Sequence, residues 1–355
     1  MINTRQKLLG MSREELVAFC LALGEKPFRG RQLFQWIYGR SATSFAEMTN
    51  LSLALRARLA ETAELAPLEV VQRRLSRKGD AEKLLFRLAD GLEVESVMMS
   101  EGDRHTLCLS SQVGCPIDCA FCATGKMGLL RNLSAGEIIN QLLTAQRVCG
   151  RKVTNVVLMG MGEPFNNYEA VIKACQLMAD PEGPNLGQRH IVISTSGLIP
   201  RIRQFTAEGH KFRLAISLNA TTDEVRNRLM PLNRKYPIAE LLAAARDYAQ
   251  QAKQRVTFEY VLLAGVNDSL QDADRLKKLV AGIPCKINLI PYNAVDESFQ
   301  RPPAGRIEAF YRRLQDLTAP VTLRWSKGDD IDAACGQLWT KAARSAPGRV
   351  AVGSG

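Results

Sequence analysis

Several absences narrow the field before any motif that is present is considered. Residues 1–10 hold no apolar signal core, and no later stretch approaches the ~18 uninterrupted apolar residues that a bilayer span requires. That argues against secretion and membrane insertion and places the chain in the cytoplasm. Only three histidines occur, His105, His190 and His210, and none stands at the paired spacing of a structural zinc site. The HxE and PCxxC signature of zinc-dependent base deaminases is missing as well, and no internal repeat is apparent.

What is present begins with size. The chain has 355 residues, 46% of them hydrophobic, enough for a large buried core and either one big α/β domain with a small addition or two domains. Lysine and arginine exceed the acids by 47 to 36, a net charge of +11 that favours a polyanionic partner through counterion release. Nine cysteines without a secretory signal read as thiols rather than a disulfide framework. Cys20, Cys149, Cys175 and Cys285 sit in apolar surroundings and read as inert buried thiols, which leaves five to be explained.

From about residue 107 to 325, β-rich runs alternate with amphipathic segments. Strands are predicted over 107–113, 153–159, 190–195, 212–218, 256–263, 286–290 and 321–325. Helices are predicted over 135–149, 168–179, 238–251, 270–280 and 306–317. Such alternation implies about six βα units on a parallel sheet, either an open partial barrel or a doubly wound sheet, with ligands at the strands' C-terminal ends.

Residues 1–70 read differently, as short helices over 13–23, 30–38 and 51–62 forming a small helical domain. Within it, residues 28–40 mix Phe28, Phe34, Trp36 and Tyr38 with Arg29, Arg31 and Arg40. That mixture describes a helix with a buried aromatic face and solvated arginines, or a surface for stacking on bases. Residues 71–100 read as a β-rich linker, 101–340 as the catalytic domain, and 341–355, rich in Gly, Ser, Ala and Pro, as a disordered tail.

The segment 114–126 reads GCPIDCAFCATGK and places thiols at Cys115, Cys119 and Cys122. Spacings of four and three let one short loop wrap three corners of a cubane. Because four cysteines are the usual complement of an iron-sulfur cluster, a triplet leaves one iron open to an outside ligand. Three ligands plus water also describe catalytic zinc, the main rival. Behind the loop, Ser134 and Glu137 form an S-x-x-E capping box that starts a helix. Further on, the run at Gly160, Met161, Gly162, Glu163 and Pro164 ends a predicted strand. Its glycines permit close backbone approach, and Glu163 can accept from an ammonium group. Ser194, Ser217, Leu218, Asn219 and Asn293 stand at three other strand ends and together line one rim.

The triplet CxxxCxxC, with Phe121 before its last cysteine, resembles the radical S-adenosylmethionine signature. The resemblance implies that the open iron chelates the amino and carboxylate groups of S-adenosylmethionine on a 4Fe-4S cluster, whose electron cleaves the sulfonium to a 5′-deoxyadenosyl radical. GMGEP is similar to the element that holds the cofactor's amino group. With SSQVGC, RNLS, STSG, SLNA, FEYVLLAGVND, IPYN and GDDIDAACGQL, the set resembles the RlmN/Cfr family of RNA adenine methyltransferases over about residues 25–340.

That resemblance implies a partial (βα)6 barrel with an accessory helical domain, acting on carbon 2 of adenine in 23S rRNA and in tRNA. Carbon 2 is electron-poor and lacks a lone pair, so polar displacement does not methylate it, whereas a carbon radical adds there. It further implies that Cys335 carries the methyl group and that Cys108 resolves the base adduct, leaving a disulfide, with Glu95 as proton acceptor and Glu93 as its neighbouring competitor. An electron donor such as flavodoxin or ferredoxin follows from the same chemistry. Asn219 departs from the family's common SLHA, which puts a side-chain contact with the cofactor in doubt there. The alternatives are a carbon 8 methylase of the same family and a non-catalytic iron-sulfur RNA-binding protein.

Overall fold

A computed structural model describes residues 5–338, so the expected tail over 341–355 lies outside the described residues. The chain opens with β1 (Gln6–Lys7) and then α1 (Arg13–Ala22), which a capping box starts. The Glu15 N–H donates to Ser12 Oγ (3.2 Å) and the Ser12 N–H to the Glu15 carboxylate (2.6 Å). Pro27, whose missing N–H costs nothing in a first turn, opens α2 (Pro27–Phe34), which runs into a π-helical turn over Gln35–Gly39. Helices α1 and α2 cross at Gly30, where a Cβ would sit 2.4 Å from Val17 Cα, so only glycine fits. Ser52 caps α3 (Leu53–Thr62), and β2 (Ala63–Glu64) returns to pair in parallel with β1.

Of the aromatics over 28–40, Phe34, Trp36 and Tyr38 are buried and only Phe28 is exposed. The Trp36 indole donates to Asn50 Oδ1 at 2.6 Å, and the Tyr38 hydroxyl accepts from Gly10 N–H and donates to Met11 O. Stacking on bases is therefore open to Phe28 alone, with Arg29 over its ring. Arg13 ties the domain to the rest of the chain through Asp180 at 2.6 Å.

The main sheet starts with an antiparallel meander of β3 (Glu69–Leu75), β4 (Ala81–Arg87), β5 (Glu93–Glu101) and β6 (Arg104–Cys108). The segment read as a linker is thus an extension of the catalytic sheet. Strands β4 and β5 are buried along most of their length, and α4 covers β5 by accepting at Gln141 from Ser96 Oγ (2.7 Å). The ribbon of β7 (Gln112–Gly114) and β8 (Leu129–Asn132) leads to α4 (Ala135–Cys149), which begins on the Ser134–Glu137 capping box.

Strand and helix then alternate: β9 (Asn155–Leu158), α5 (Tyr168–Ala179), β10 (Ile191–Thr195), α6 (Ile199–Ala207), β11 (Arg213–Ser217), α7 (Asp223–Leu229), α8 (Ile238–Ala252), β12 (Val256–Leu262), α9 (Leu270–Val280), β13 (Cys285–Pro291), α10 (Ala304–Arg313) and β14 (Val321–Leu323). The predicted strand over 107–113 splits in two. Its first part ends β6, and its last residues join β8 in the separate ribbon, because the chain must leave the sheet to form the loop that follows.

From β6 through β9 to β14 every neighbour is parallel and follows chain order without reversal. A doubly wound sheet requires a reversal point, so the topology is that of a singly wound partial barrel. Right-handed crossovers place its helices on one outer face and leave a lumen on the other. Among the described residues its edges are β14 and β3, and no helix is long and apolar enough to cross a membrane.

Candidate active site

Cys115, Cys119 and Cys122 lie on the loop between β7 and β8. Gly114 enters it with φ +77°, and a Cβ there would overlap the Gly128 carbonyl, to which the Cys115 N–H donates at 2.9 Å. The Cys122 N–H turns back on Cys119 O, while two amides reach outward, Ala120 to Leu229 O and Ala123 to Gly336 O, so tight turns and neighbouring segments fix the loop's shape in place of a regular ladder. Burial pushes the Cys115 thiol up to about 12 and raises Cys119 and Cys122, and the charges of the triplet and Glu163 raise Cys119 further. Three bare thiolates are disfavoured here, and a cationic cluster reverses that penalty. Three soft donors with one corner open fit a 4Fe-4S group. Among the described residues no His, Cys, Asp or Glu side chains form a three-membered cage for a single ion; a cubane spaces its ligands by its own body.

The expected cofactor rim is organised around Glu163. Gly162, at φ +100°, lets the chain pass Gln112, whose Oε1 accepts from the Glu163 N–H at 2.8 Å. Glu163 is buried. Its Oε2 accepts from both the N–H and the Oγ of Ser196 at 2.7 Å, and its Oε1 from the Phe165 N–H at 3.0 Å. Burial raises its pKa and these donors oppose the rise. The Thr195 side chain adds to these partners, so most of the carboxylate's capacity holds β10 to the GMGEP turn. Ser196, two residues beyond the expected Ser194, makes that contact, while Ser194 stays on β10.

Leu218 is fully buried and offers the rim only its backbone, whose N–H donates to Glu259 O and whose carbonyl accepts from Arg226 Nε at 3.0 Å. Asn219 adopts a left-handed backbone, φ +55°, which asparagine tolerates better than most residues. Its Oδ1 accepts from the Val261 N–H at 2.9 Å, so the side chain is spent joining β11 to β12. Arg226, fully buried, also donates to Ser196 O, Ser217 O and Asn233 Oδ1, fastening the ends of β10 and β11 together. Asn293 ties the end of β13 to the loop after β14. It donates to Ser326 Oγ (2.8 Å) and to Cys335 O (3.3 Å), and its Oδ1 accepts from Arg301.

Cys335 is half-buried on the loop after β14, and backbone contacts pin that loop over the cluster segment. The Ala123 N–H donates to Gly336 O at 2.8 Å and Thr124 Oγ1 to Leu338 O at 2.6 Å. Cys108, at the end of β6, is buried and shares one cavity of about 530 Å³ with Cys335. Glu95, also buried, pairs with Lys83 at 3.0 Å, and the same ammonium donates to Asp332 O at 3.1 Å. Lys83 thereby joins the expected proton acceptor to the loop of the expected methyl carrier. The competitor Glu93 pairs with Arg87 instead. Cys20, Cys175 and Cys285 are buried and Cys149 partly so.

Lys83, Ser196, Arg226 and Arg324 were not singled out by the sequence. An inward-facing Lys at mid-strand is a signal for Lys83, but only once the register is known. Arg324 shares the cavity with both thiols and is raised in pKa chiefly by Cys335. Burial pushes Cys108 up to about 12, with Cys335 adding to the rise and Arg324 opposing it. With a pKa of about 12, Cys108 is only roughly 10⁻⁴ ionised at pH 8. Iodoacetamide at pH 8 is therefore expected to label Cys335 well before Cys108, and Cys108 labelling to rise about tenfold per unit between pH 7 and 9. Peptide mass spectrometry reads both, and prompt labelling of Cys108 at pH 7 would contradict the burial argument.

Residues 6–65 match the family model described as the ribosomal RNA large subunit methyltransferase N-terminal domain, and residues 109–276 that of the radical SAM superfamily. The chain is 48% identical over 338 residues to the dual-specificity RNA methyltransferase RlmN of Geobacter sulfurreducens, covering 95% of this chain and 93% of that protein. It is 47% identical over 349 residues to the probable dual-specificity RNA methyltransferase RlmN of Symbiobacterium thermophilum, covering 97% and 94%. The crystal structure of a radical SAM methyltransferase from Sphaerobacter thermophilus superposes with a TM-score of 0.90 at 46% identity, covering 94% of this chain and 99% of that one.

Proposed function

The chain belongs to the RlmN family of radical S-adenosylmethionine RNA methyltransferases, and from that premise we propose that it methylates carbon 2 of adenine in 23S rRNA and tRNA through Cys335. The observation that carries this reading is the seating of Cys335. Its loop is hydrogen-bonded to the cluster segment through Ala123 and Gly336, and its thiol lines one cavity with Cys108.

Cys115, Cys119 and Cys122 would hold the 4Fe-4S cluster, and Gly162, Glu163, Ser194, Ser217, Leu218, Asn219 and Asn293 would form the rim for S-adenosylmethionine. Together these groups supply a carbon-centred radical when bound, and a donor of the flavodoxin or ferredoxin kind supplies the electron. The setting is the cytoplasm, where the RNA is made.

The chain's own residues account for the rest. Cys335 accepts a methyl group on sulfur and, after loss of one of its hydrogens, presents it to carbon 2. Glu95, held by Lys83, takes the proton that carbon 2 must lose for the ring to regain aromaticity, and the adduct's unpaired electron leaves to the same one-electron donor system that supplied the first. The Cys108 thiolate attacks the Cys335 sulfur, the bond from that sulfur to the methylene carbon breaks with its electron pair going to that carbon, which takes up a proton and becomes the methyl group, and a Cys108–Cys335 disulfide remains for reduction. Methylation removes the Cys335 group that opposes ionisation of Cys108 and leaves Arg324, which favours it, in place.

The test is mass spectrometry of RNA digested after reaction with the anaerobically prepared enzyme. The expected product is 2-methyladenine in both RNAs. Recovery of 8-methyladenine would give the carbon 8 reading, and failure to convert S-adenosylmethionine under dithionite would give the non-catalytic one.

A further inference from the structure

Across β11 to β14 the register sets Ser217 beside Glu259, Glu259 beside Asn288, and Asn288 beside Thr322. Paired residues of parallel strands face the same side, so these four form one polar row on the lumen face of the barrel. Thr322 Oγ1 donates to Asn288 Oδ1 at 2.9 Å, and Asn288 Nδ2 donates to Glu259 Oε1 at 2.9 Å. That relay fixes the plane of the Glu259 carboxyl group. Its second oxygen, Oε2, is buried and has no hydrogen-bond partner among the described residues, although the side chain as a whole is 5% exposed. The charges of Arg324 and Lys286 offset part of the burial of this carboxylate, but neither supplies a hydrogen to Oε2, and a buried acceptor held in a fixed plane without a donor is costly unless one arrives from elsewhere.

Glu259, Asn288 and Thr322 line the cavity of about 530 Å³ that Cys108 and Cys335 also line, a size within the roughly 300–1,000 Å³ range of small-molecule sites. Cys115, Cys119, Cys122, Gly162, Glu163 and Asn219 are not among its walls. The chamber adjoins the cofactor rim, which it meets through Glu259 at Ser217 and Leu218 and through Ser326 at Asn293, and both thiols open on it. Arg104, Arg213 and Lys286 line its other end, at the starts of β6, β11 and β13, whereas Cys108 ends β6. Four residues at ~3.3 Å each put that thiol roughly 13 Å above the basic mouth, a depth that a single extruded nucleotide reaches and a duplex does not.

We propose that Glu259 Oε2 accepts a hydrogen bond from the 6-amino group of the target adenine, with Arg104, Arg213 and Lys286 at the mouth receiving the adjoining phosphates. The proposal rests on the reading of the chain as an adenine methylase. Adenine offers a donor at position 6 where guanine offers an acceptor, so the carboxylate admits one purine and repels the other. Carbon 6, which bears the amino group, and carbon 2 flank the same ring nitrogen. An acceptor on the amino group thus sets the direction in which carbon 2 points, toward or away from Cys335.

The experiment uses a tRNA anticodon stem-loop carrying adenine beside the anticodon, and the same oligonucleotide with purine, which lacks the 6-amino group, at that position. For the full-length anaerobic enzyme, kcat/KM on the purine oligonucleotide is expected to fall roughly 10- to 100-fold. Glu259→Gln, which replaces the acceptor with a donor-bearing amide of the same shape, is expected to lose as much on adenine and nothing further on purine, with an unchanged KM for S-adenosylmethionine. Equal losses on the two oligonucleotides, or a wild-type enzyme indifferent to the amino group, overturns the assignment of Glu259 alone. A raised KM for S-adenosylmethionine with discrimination intact does the same by moving Glu259 to the cofactor's own adenine. A wild-type enzyme that methylates neither RNA overturns the proposed function and this inference with it. The wild-type comparison needs no variant to fold.

Discussion

Cys335→Ala is expected to abolish methyl transfer to RNA, by at least ~10³-fold, while the protein still takes up ~3 to 4 irons per chain. The magnitude follows from the role: a covalent carrier has no substitute when the reacting carbon cannot be methylated by direct displacement. Retention of iron follows from the structure. The contacts that bind the Cys335 loop to its surroundings, among them Cys335 O with Asn293, Gly336 O with Ala123, Leu338 O with Thr124 and the Gln337 side chain with Ala294 O, do not use the Cys335 thiol, and alanine keeps all of them. Methyl incorporation into RNA, measured beside iron content and visible absorbance, separates the two effects. Turnover that survives the substitution would remove Cys335 from the chemistry. Loss of iron along with activity would make its role structural.

Arg226→Met is expected to be the most damaging substitution outside the cysteines. The guanidinium is fully buried and donates to Leu218 O, Ser196 O, Ser217 O and Asn233 Oδ1, at distances from 2.7 to 3.1 Å. Burial lowers its pKa to about 10, so it remains charged at neutral pH. Methionine fills much of the volume but removes four hydrogen bonds, and although Leu218 O keeps the Ala220 N–H at 2.8 Å, the loss is about 3–5 kcal/mol on the scale of broken buried charge networks. Because the freed carbonyls belong to the ends of β10 and β11, a higher KM for S-adenosylmethionine should accompany the lower stability. Arg226→Lys should not rescue, since an ammonium on a single stem cannot reproduce a planar fork reaching three directions. Urea unfolding of the two variants checks this, and a change below about 1 kcal/mol for methionine would show that water takes over the bonds.

The cluster loop was legible residue by residue because its chemistry is local. Three thiols within eight positions constrain each other through the covalent chain, whatever the fold around them, and the Ser134–Glu137 cap is set by a three-residue spacing that the structure reproduces. Alternation of apolar runs likewise gave six of the seven parallel strands to within two residues at either end, since period and burial are written along one segment at a time. The exception, 107–113, failed because nothing local marks where a strand leaves one sheet for another.

Strand order, by contrast, is a relation between segments far apart. Only the observed pairing distinguished a singly wound barrel from a doubly wound sheet, and only it turned the 71–100 linker into part of the catalytic sheet. The same holds at the site. Ser194 and Ser196 are equivalent in sequence, yet the turn after β10 brings Ser196 to Glu163. Lys83 meets Asp332 across 249 positions. The sequence by itself determined the chemistry this protein can perform, because reactive groups and their spacings are covalent facts. Tertiary structure alone decided which buried polar groups hold that chemistry in place, because a hydrogen bond or ion pair in the interior depends on register and proximity that no local pattern encodes.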